Sequence, residues 1–275
     1  PAISGANLTN LPAGGATSIN GLTDGYSVSN SVGLGTGALA NDDGTNNSNT
    51  AVGTSALNST TSGSYNTASG HYALKNNTTG IKNTASGTYS LFYNTTGTNN
   101  VATGYKALIS NTTASSNTAN GFYSLYTNTT GTHNTATGTY ALYSNTTGTK
   151  NTASSYMALY TNTTGTSNVA SGYQALRYNT TGRQNTASGY RALFSNTTSD
   201  NNTAYGNDAL RLNTTGAKNI GLGQGAGDAI TTGSNNTIIG DYAGTTTLAD
   251  TVVIAAGTTE RLKIDASGMQ VNGAA

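Results

Sequence analysis

The chain contains no cysteine, so neither a disulfide framework nor thiolate chemistry is open to it. Charge is scarce: only 8% of its 275 residues are Asp, Glu, Lys or Arg. Acidic residues are missing altogether between Asp43 and Asp200. That gap removes paired carboxylates from the middle of the chain, and with them glycoside hydrolysis there. The two histidines, His71 and His133, have no carboxylate near them in sequence and read as solvated surface. No cofactor or metal site is expected. The glycine-rich stretch 221–227 is followed by no helical pattern that could point an N-terminus at a phosphate. No apolar run reaches the roughly 20 residues of a membrane span, and no secretory signal is visible. A net charge of +1 argues against a nucleic-acid partner. The first residue is Pro1 rather than Met, so the sequence reads as a piece of something longer.

Low charge and 36 glycines alone would suggest disorder. Strict periodicity argues the other way. From Asn49 onward one 17-residue phrase recurs, each copy opening on Asn: 49, 66, 83, 100, 117, 134, 151, 168, 185, 202, 219 and 236. A fixed short period is the signature of a repeat architecture. We number the unit from that Asn. Position 3 is Ala in ten successive copies, Ala68 among them. Position 9 is Leu in ten, including Leu74, Leu91, Leu108, Leu125, Leu142, Leu159, Leu176 and Leu193. Position 12 is Asn from Asn77 to Asn213, and position 5 is nearly always Gly, with Ser155 the central exception. Positions so constant within one chain must meet the same environment in each copy.

Two helices and a turn need about twice this length, so a helical repeat is excluded. Thr, Ser, Asn and Gly are poor helix-interior residues, and no 3.6-residue apolar pattern occurs. Thr-Ala-Ser at positions 2–4 and Tyr-Ala-Leu at 7–9 alternate as strands do; Gly at 5 and Asn-Thr-Thr-Gly at 12–15 are turn chemistry. The expected fold is all-β: a parallel β-solenoid of about twelve coils, each strand, bend, strand, turn. Stacked coils would lie about 4.8 Å apart, and stacked Asn would bond from coil to coil. Three segments follow: residues 1–30 as an N-terminal linker, 31–244 as the repeat domain, and 245–275 as a β-stranded end leading to a further anchor or chaperone. The coil opening at Ser31 is one residue longer than the rest.

The motif Asn-x-Ala-x-Gly, and most plainly Asn219-Ile220-Gly221-Leu222-Gly223 and Asn236-Thr237-Ile238-Ile239-Gly240, resembles the head repeat of trimeric autotransporter adhesins of the YadA type. Residues 261–273 resemble the segment before the endosialidase-type chaperone of phage and bacterial trimeric fibres; residues 1–12 resemble the linking repeats of tail fibres. The resemblance implies a homotrimer of left-handed parallel β-rolls, outside the cell or on a virion. The unit departs from that family in being longer, and in carrying Thr and Ser at positions 2 and 4 where the family prefers aliphatics. Energetics also point to an oligomer. At about 25 cal/mol per Å² of buried apolar surface, one Leu and two Ala per coil barely offset the ordering of a whole coil.

Two surface features remain. Aromatics recur at position 10 (Phe92, Tyr126, Tyr143, Tyr160, Phe194) and at positions 6 and 7, where Tyr72, Tyr123, Tyr173 and Tyr190 are examples. They either stack on one another or bind sugar rings. Cations scattered along the middle, Arg177 at position 10 among them, give a mildly positive side that attracts an anionic polymer such as lipopolysaccharide or serves only solubility. The Asn-Thr-Thr copies match a glycosylation acceptor but read better as turn ladders. The leading expectation is therefore a non-enzymatic trimeric fibre segment, a rigid spacer and adhesin for a surface glycan. An alternative is a Thr-rich ice-binding solenoid, since Thr67-Ala68-Ser69 and its copies form Thr-x-Ser/Thr rows. A carbohydrate-degrading tailspike is a further alternative, with only Asp200 and Asp208 close together on the coils.

Overall fold

A computed structural model describes residues 25–28, 30–44 and 47–271. Nearly all of the linker expectation, including its resemblance at 1–12, lies outside them. The chain is all-β. Strand β1 is Gly25–Val28 and β2 is Ser31–Leu34. Then β3 (Thr50–Val52) opens a series of three-residue strands. Strands β4 to β12 start at Thr67, Thr84, Val101, Thr118, Thr135, Thr152, Val169, Thr186 and Thr203. The series closes with β13 (Ile220–Leu222) and β14 (Thr237–Ile239), followed by β15 (Val252–Ala256), β16 (Thr259–Asp265) and β17 (Gly268–Val271).

From β2 to β15 every neighbouring pair is parallel, and from β3 to β14 the register steps by one 17-residue unit, as in Ala136↔Ala153 and Ala153↔Ala170. This is a β-solenoid of thirteen turns, β2 to β14. At about 4.8 Å per step the strands span about 58 Å. The first coil is one residue longer, since Val32 pairs with Thr50. Both ends are closed by antiparallel strands: β1 on β2, then β16 on β15 and β17 on β16. Such caps keep the open edges of the stack from templating further pairing.

Each coil carries one strand, not two. The Tyr-Ala-Leu stretch expected as a second strand is a run of tight turns. In one copy the N–H groups of Ala73, Lys75 and Asn77 donate to the carbonyls of Gly70, Tyr72 and Leu74, at 3.2, 3.3 and 3.1 Å. Tyr72 and Leu74, third residues of the first two turns, have φ of 60° and 50°. A type II turn demands positive φ there and usually takes Gly. Leu takes it instead, eleven times, with φ between 49° and 54°. The left-handed backbone costs about 1–2 kcal/mol per residue. Each of these leucines is fully buried, which returns about 1.5–3 kcal/mol. The same conformation aims backbone N–H groups up and down the stack: Tyr72 donates back to Thr54 (3.0 Å) and Leu74 forward to Ser90 (3.0 Å). The strand-like alternation expected of positions 7–9, with 7 and 9 on one face and 8 on the other, fails for the same reason. Ala73 and Leu74 both point inward, while Tyr72 lies half-exposed.

Position 17 is also left-handed, and there the side chain is solvated, as at Lys150 (φ 58°). No burial offsets its strain. Asn already occupies this position at Asn99, Asn201 and Asn235. Lys150→Asn is expected to stabilise the rod by about 0.5–1 kcal/mol, read as a rise in denaturation midpoint. A fall would mean that Lys150 makes a contact worth more than the strain.

The interior is narrow and self-contained. Ala at positions 3 and 8, where position 8 is sometimes Ser, packs with Leu at position 9, and the constant Ala and Leu are 0% exposed. Two Asn ladders complete the core. Asn151 donates its N–H and its Nδ2 to Asn134 Oδ1 (3.0 and 3.2 Å), and Nδ2 also donates to the Gly165 carbonyl (2.8 Å). Asn162 Nδ2 donates to Asn145 Oδ1 (2.8 Å) and to that same carbonyl (3.1 Å). In the first ladder the backbone N–H needs an acceptor, and in the second the Gly165 carbonyl needs a donor, which fixes which way each amide faces. At its ends the first ladder meets Ser31 Oγ, which accepts from the Asn49 N–H (3.1 Å), and the Thr251 N–H, which donates to Asn236 Oδ1 (3.2 Å). The thin apolar core anticipated from one Leu and two Ala is thus supplemented by hydrogen bonds in every coil.

Candidate functional site

Positions 6 and 7 are the central residues of the first tight turn, and position 10 stands beside them on one edge of the coil. Stacking coils turns them into a ridge of aromatic rings from His71 to Phe194. At position 10, Tyr126, Tyr143 and Tyr160 stack nearly parallel, with centroids 5.1 and 5.2 Å apart and planes 2° and 10° apart. At position 7, Tyr123 and Tyr140 stack at 5.7 Å. At position 6, Tyr156, Tyr173 and Tyr190 stack at 5.3 Å per step. The rows interlock edge-on, as between Tyr123 and Tyr126 (5.0 Å).

Of the residues expected to bind ligand, Phe92, Tyr126, Tyr143, Tyr160, Arg177 and Phe194 all lie on this ridge, half-buried. Phe92 packs edge-on against Tyr93 (4.6 Å) and tilts against Tyr89 (5.4 Å). The Arg177 guanidinium sits 5.1 Å from the centre of the Tyr178 ring and 5.9 Å from that of Phe194. Because the position-10 rings lie face to face, they offer solvent their edges and hydroxyls. The position-6 rings are more open than these, with Phe122 43% and Tyr190 45% exposed, and Tyr93 at position 11 is 51% exposed. Burial in the stack pushes the Tyr143 phenol above its usual range, helped by Tyr126 and Tyr160 on either side. A hydrogen bond to Tyr105 holds the Lys106 ammonium above its usual range.

Sequence reasoning overlooked part of the ridge. Tyr93 and Tyr178 stand at position 11, where aromatics occur only twice and leave no periodic trace. The cations at position 7 were also not linked to rings. Lys106 lies 5.2 Å from the Tyr105 centroid, and Arg191 lies 4.6 Å from that of Phe194. His71, read as plain surface, lies tilted against Tyr72 with ring centres 3.7 Å apart while remaining exposed. Such cation–ring contacts contribute about 0.5–1 kcal/mol each at exposed sites.

The other long surface is the strand face. Each three-residue strand buries its middle residue and turns its outer two to solvent. The Thr and Ser rows therefore project outward from a parallel sheet. Asp200 Oδ1 accepts the Arg183 N–H (2.6 Å), and Asp208 pairs with Arg211 at 3.6 Å. The Asn of each Asn-Thr-Thr copy is 0% exposed, with Nδ2 donating inside the stack as at Asn145, so in the folded rod it is closed to glycosylation. Among the described residues no helix is long and apolar enough to cross a membrane. Comparison with protein-family models, curated proteins and solved structures finds no match.

Proposed function

We propose that this chain is a non-enzymatic fibre segment: a stiff rod that assembles as a homotrimer of left-handed rolls outside the cell or on a virion, and carries a binding ridge for a surface glycan. The observation that carries the reading is the ridge of aromatic clusters, the longest running from Tyr105 to Tyr190, studded with cations. A ridge repeating every coil meets a repeating polymer with many equal, weak contacts, and several copies multiply them. Open rings at position 6 supply apolar area beside hydroxyl edges. Lys106, Arg177 and Arg191 supply positive charge for an anionic polymer such as lipopolysaccharide.

The test is binding of the full chain to arrayed polysaccharides and lipopolysaccharides. The double variant Tyr173→Ala/Tyr190→Ala is expected to lose at least about ten-fold in affinity, equivalent to about 1.4 kcal/mol, with circular dichroism unchanged. Retained binding by that variant, or no binding to any glycan by the parent, sinks the adhesive reading.

A second reading draws on the strand face. Outward Thr-x-Ser/Thr rows on a regular sheet are the arrangement that the ice-binding alternative requires. Val101, Asn120, Val169 and Tyr205 interrupt the rows. Thermal hysteresis at micromolar protein, abolished by Thr135→Tyr, would favour this reading over the fibre.

A further inference from the structure

The strand face is not uniform along the rod. Its two outward rows hold no charged residue from Val32 to Ile254, whereas cations stand at positions 7, 10, 16 and 17, as at Lys106, Arg177, Arg183 and Lys150. In the middle the rows are small and mostly polar. From β13 on they turn apolar: Ile220, Leu222, Ile239 and Ile254 are 37–44% exposed. The terminal hairpin extends both rows. Leu262 and Val271 continue the row of Ile254, and Ile264 and Met269 continue the row of Val252. All four residues of β17 are exposed. A terminal ribbon with an uncovered apolar face is marginal without something packed on it.

We infer that this C-terminal sheet face is where parallel copies of this chain meet, side by side and in register. Three features select a second copy as the occupant. In a parallel symmetric assembly each residue near the axis faces its own counterpart, so any charge there would oppose itself. Two long rows without one charge satisfy that requirement, while a different partner could tolerate complementary charges. The blocks also match themselves only in this sense. Parallel copies put the large apolar end on the large apolar end, and the Thr/Ser middle on the Thr/Ser middle. Antiparallel copies would set that end against the much smaller group of Val32, Leu34 and Val52. Finally, the side chains concerned are not used by their own coil, so covering them leaves the solenoid core intact.

The number of copies rests on the fibre reading above; the face does not. The experiment is light scattering with circular dichroism on the full chain and on Leu222→Asp/Ile254→Asp. The parent is expected to be multimeric. The variant is expected to fall to single-chain mass, or to dissociate at concentrations at least about 100-fold higher, with the β spectrum unchanged. The absence of native cysteine allows an independent check. Ile239→Cys should cross-link to its own counterpart on oxidation, and Thr130→Cys, exposed on another side of the coil, should not. A multimeric parent whose double variant keeps its mass, or which cross-links through Thr130→Cys and not Ile239→Cys, overturns the assigned face and leaves the fibre reading standing. A monomeric parent overturns both self-association and the homotrimer, and leaves glycan binding to its own assay.

Discussion

Asn151→Asp is expected to destabilise the centre of the rod by at least about 3–5 kcal/mol at neutral pH. Asn151 is 0% exposed. Its Oδ1 accepts the N–H and Nδ2 of Asn168 at 3.0 and 3.2 Å, and a carboxylate oxygen would do the same. The loss lies on the other arm. Nδ2 donates to the Gly165 carbonyl and to Asn134 Oδ1, and the substitution sets a charged oxygen against both acceptors. Among the described residues no cation lies in the buried core to compensate. Burial raises the carboxyl's folded pKa above its unfolded value of about 3.9. The deficit is therefore full above the folded pKa and shrinks as pH falls through it, because the protonated acid can again donate. Hydrogen exchange is the suitable readout, since a repeat array opens locally. Amides of the coils around residue 151 should lose protection at pH 7 and partly regain it near pH 4, relative to the parent. Thr130→Asp, on the exposed surface, should change little at either pH. Equal protection in Asn151→Asp and the parent at pH 7 would mean that the ladder contributes nothing.

Leu142→Ala should cost about 2–5 kcal/mol. Leu142 is 0% exposed and sits between its counterparts Leu125 and Leu159, which are equally buried. Ala leaves a void that the closely stacked backbone cannot close. It also retains the backbone penalty, because Ala at φ 51° is as strained as Leu. The strain would then stand without the burial that offsets it. Thermal denaturation of the variant should show a lower midpoint. A cost below about 1 kcal/mol would mean that the left-handed turn is held by the coil-to-coil hydrogen bonds alone.

Much of this architecture was legible from repetition. Identical residues at positions 3, 9 and 12 had to share an environment, and all three prove to be interior. The Asn ladders followed from the same reasoning, since a buried amide in every coil has a partner one coil away. The backbone between Gly70 and Asn77 was not legible. Tyr-Ala-Leu has the composition of a strand, and positive φ is ordinarily announced by Gly or Asn. Leu74 adopts it because the coil needs an apolar side chain there, the next coil's Ser90 carbonyl needs its N–H, and Asn77 of the same coil needs its carbonyl. Local propensity lost to stacking.

The candidate site was legible where it repeats and hidden where it does not. Position 10 showed its aromatics in register, while Tyr93, Tyr178 and the ring-bound cations occur too rarely to form a pattern. The apolar end of the strand face needed the hairpin register. Only the pairing of Ile254 with Leu262, and of Leu262 with Val271, reveals that residues after the period continue the same rows.

The central claim is a self-contained solenoid that works as one member of a parallel fibre, and the solution mass of the intact chain tests it most directly. Light scattering should give three times the 27.6 kDa chain mass, with a β-rich spectrum. A folded species at 27.6 kDa, persisting at tens of micromolar, would contradict the assembly and leave a single-chain rod whose open Thr and Ser rows become its principal surface.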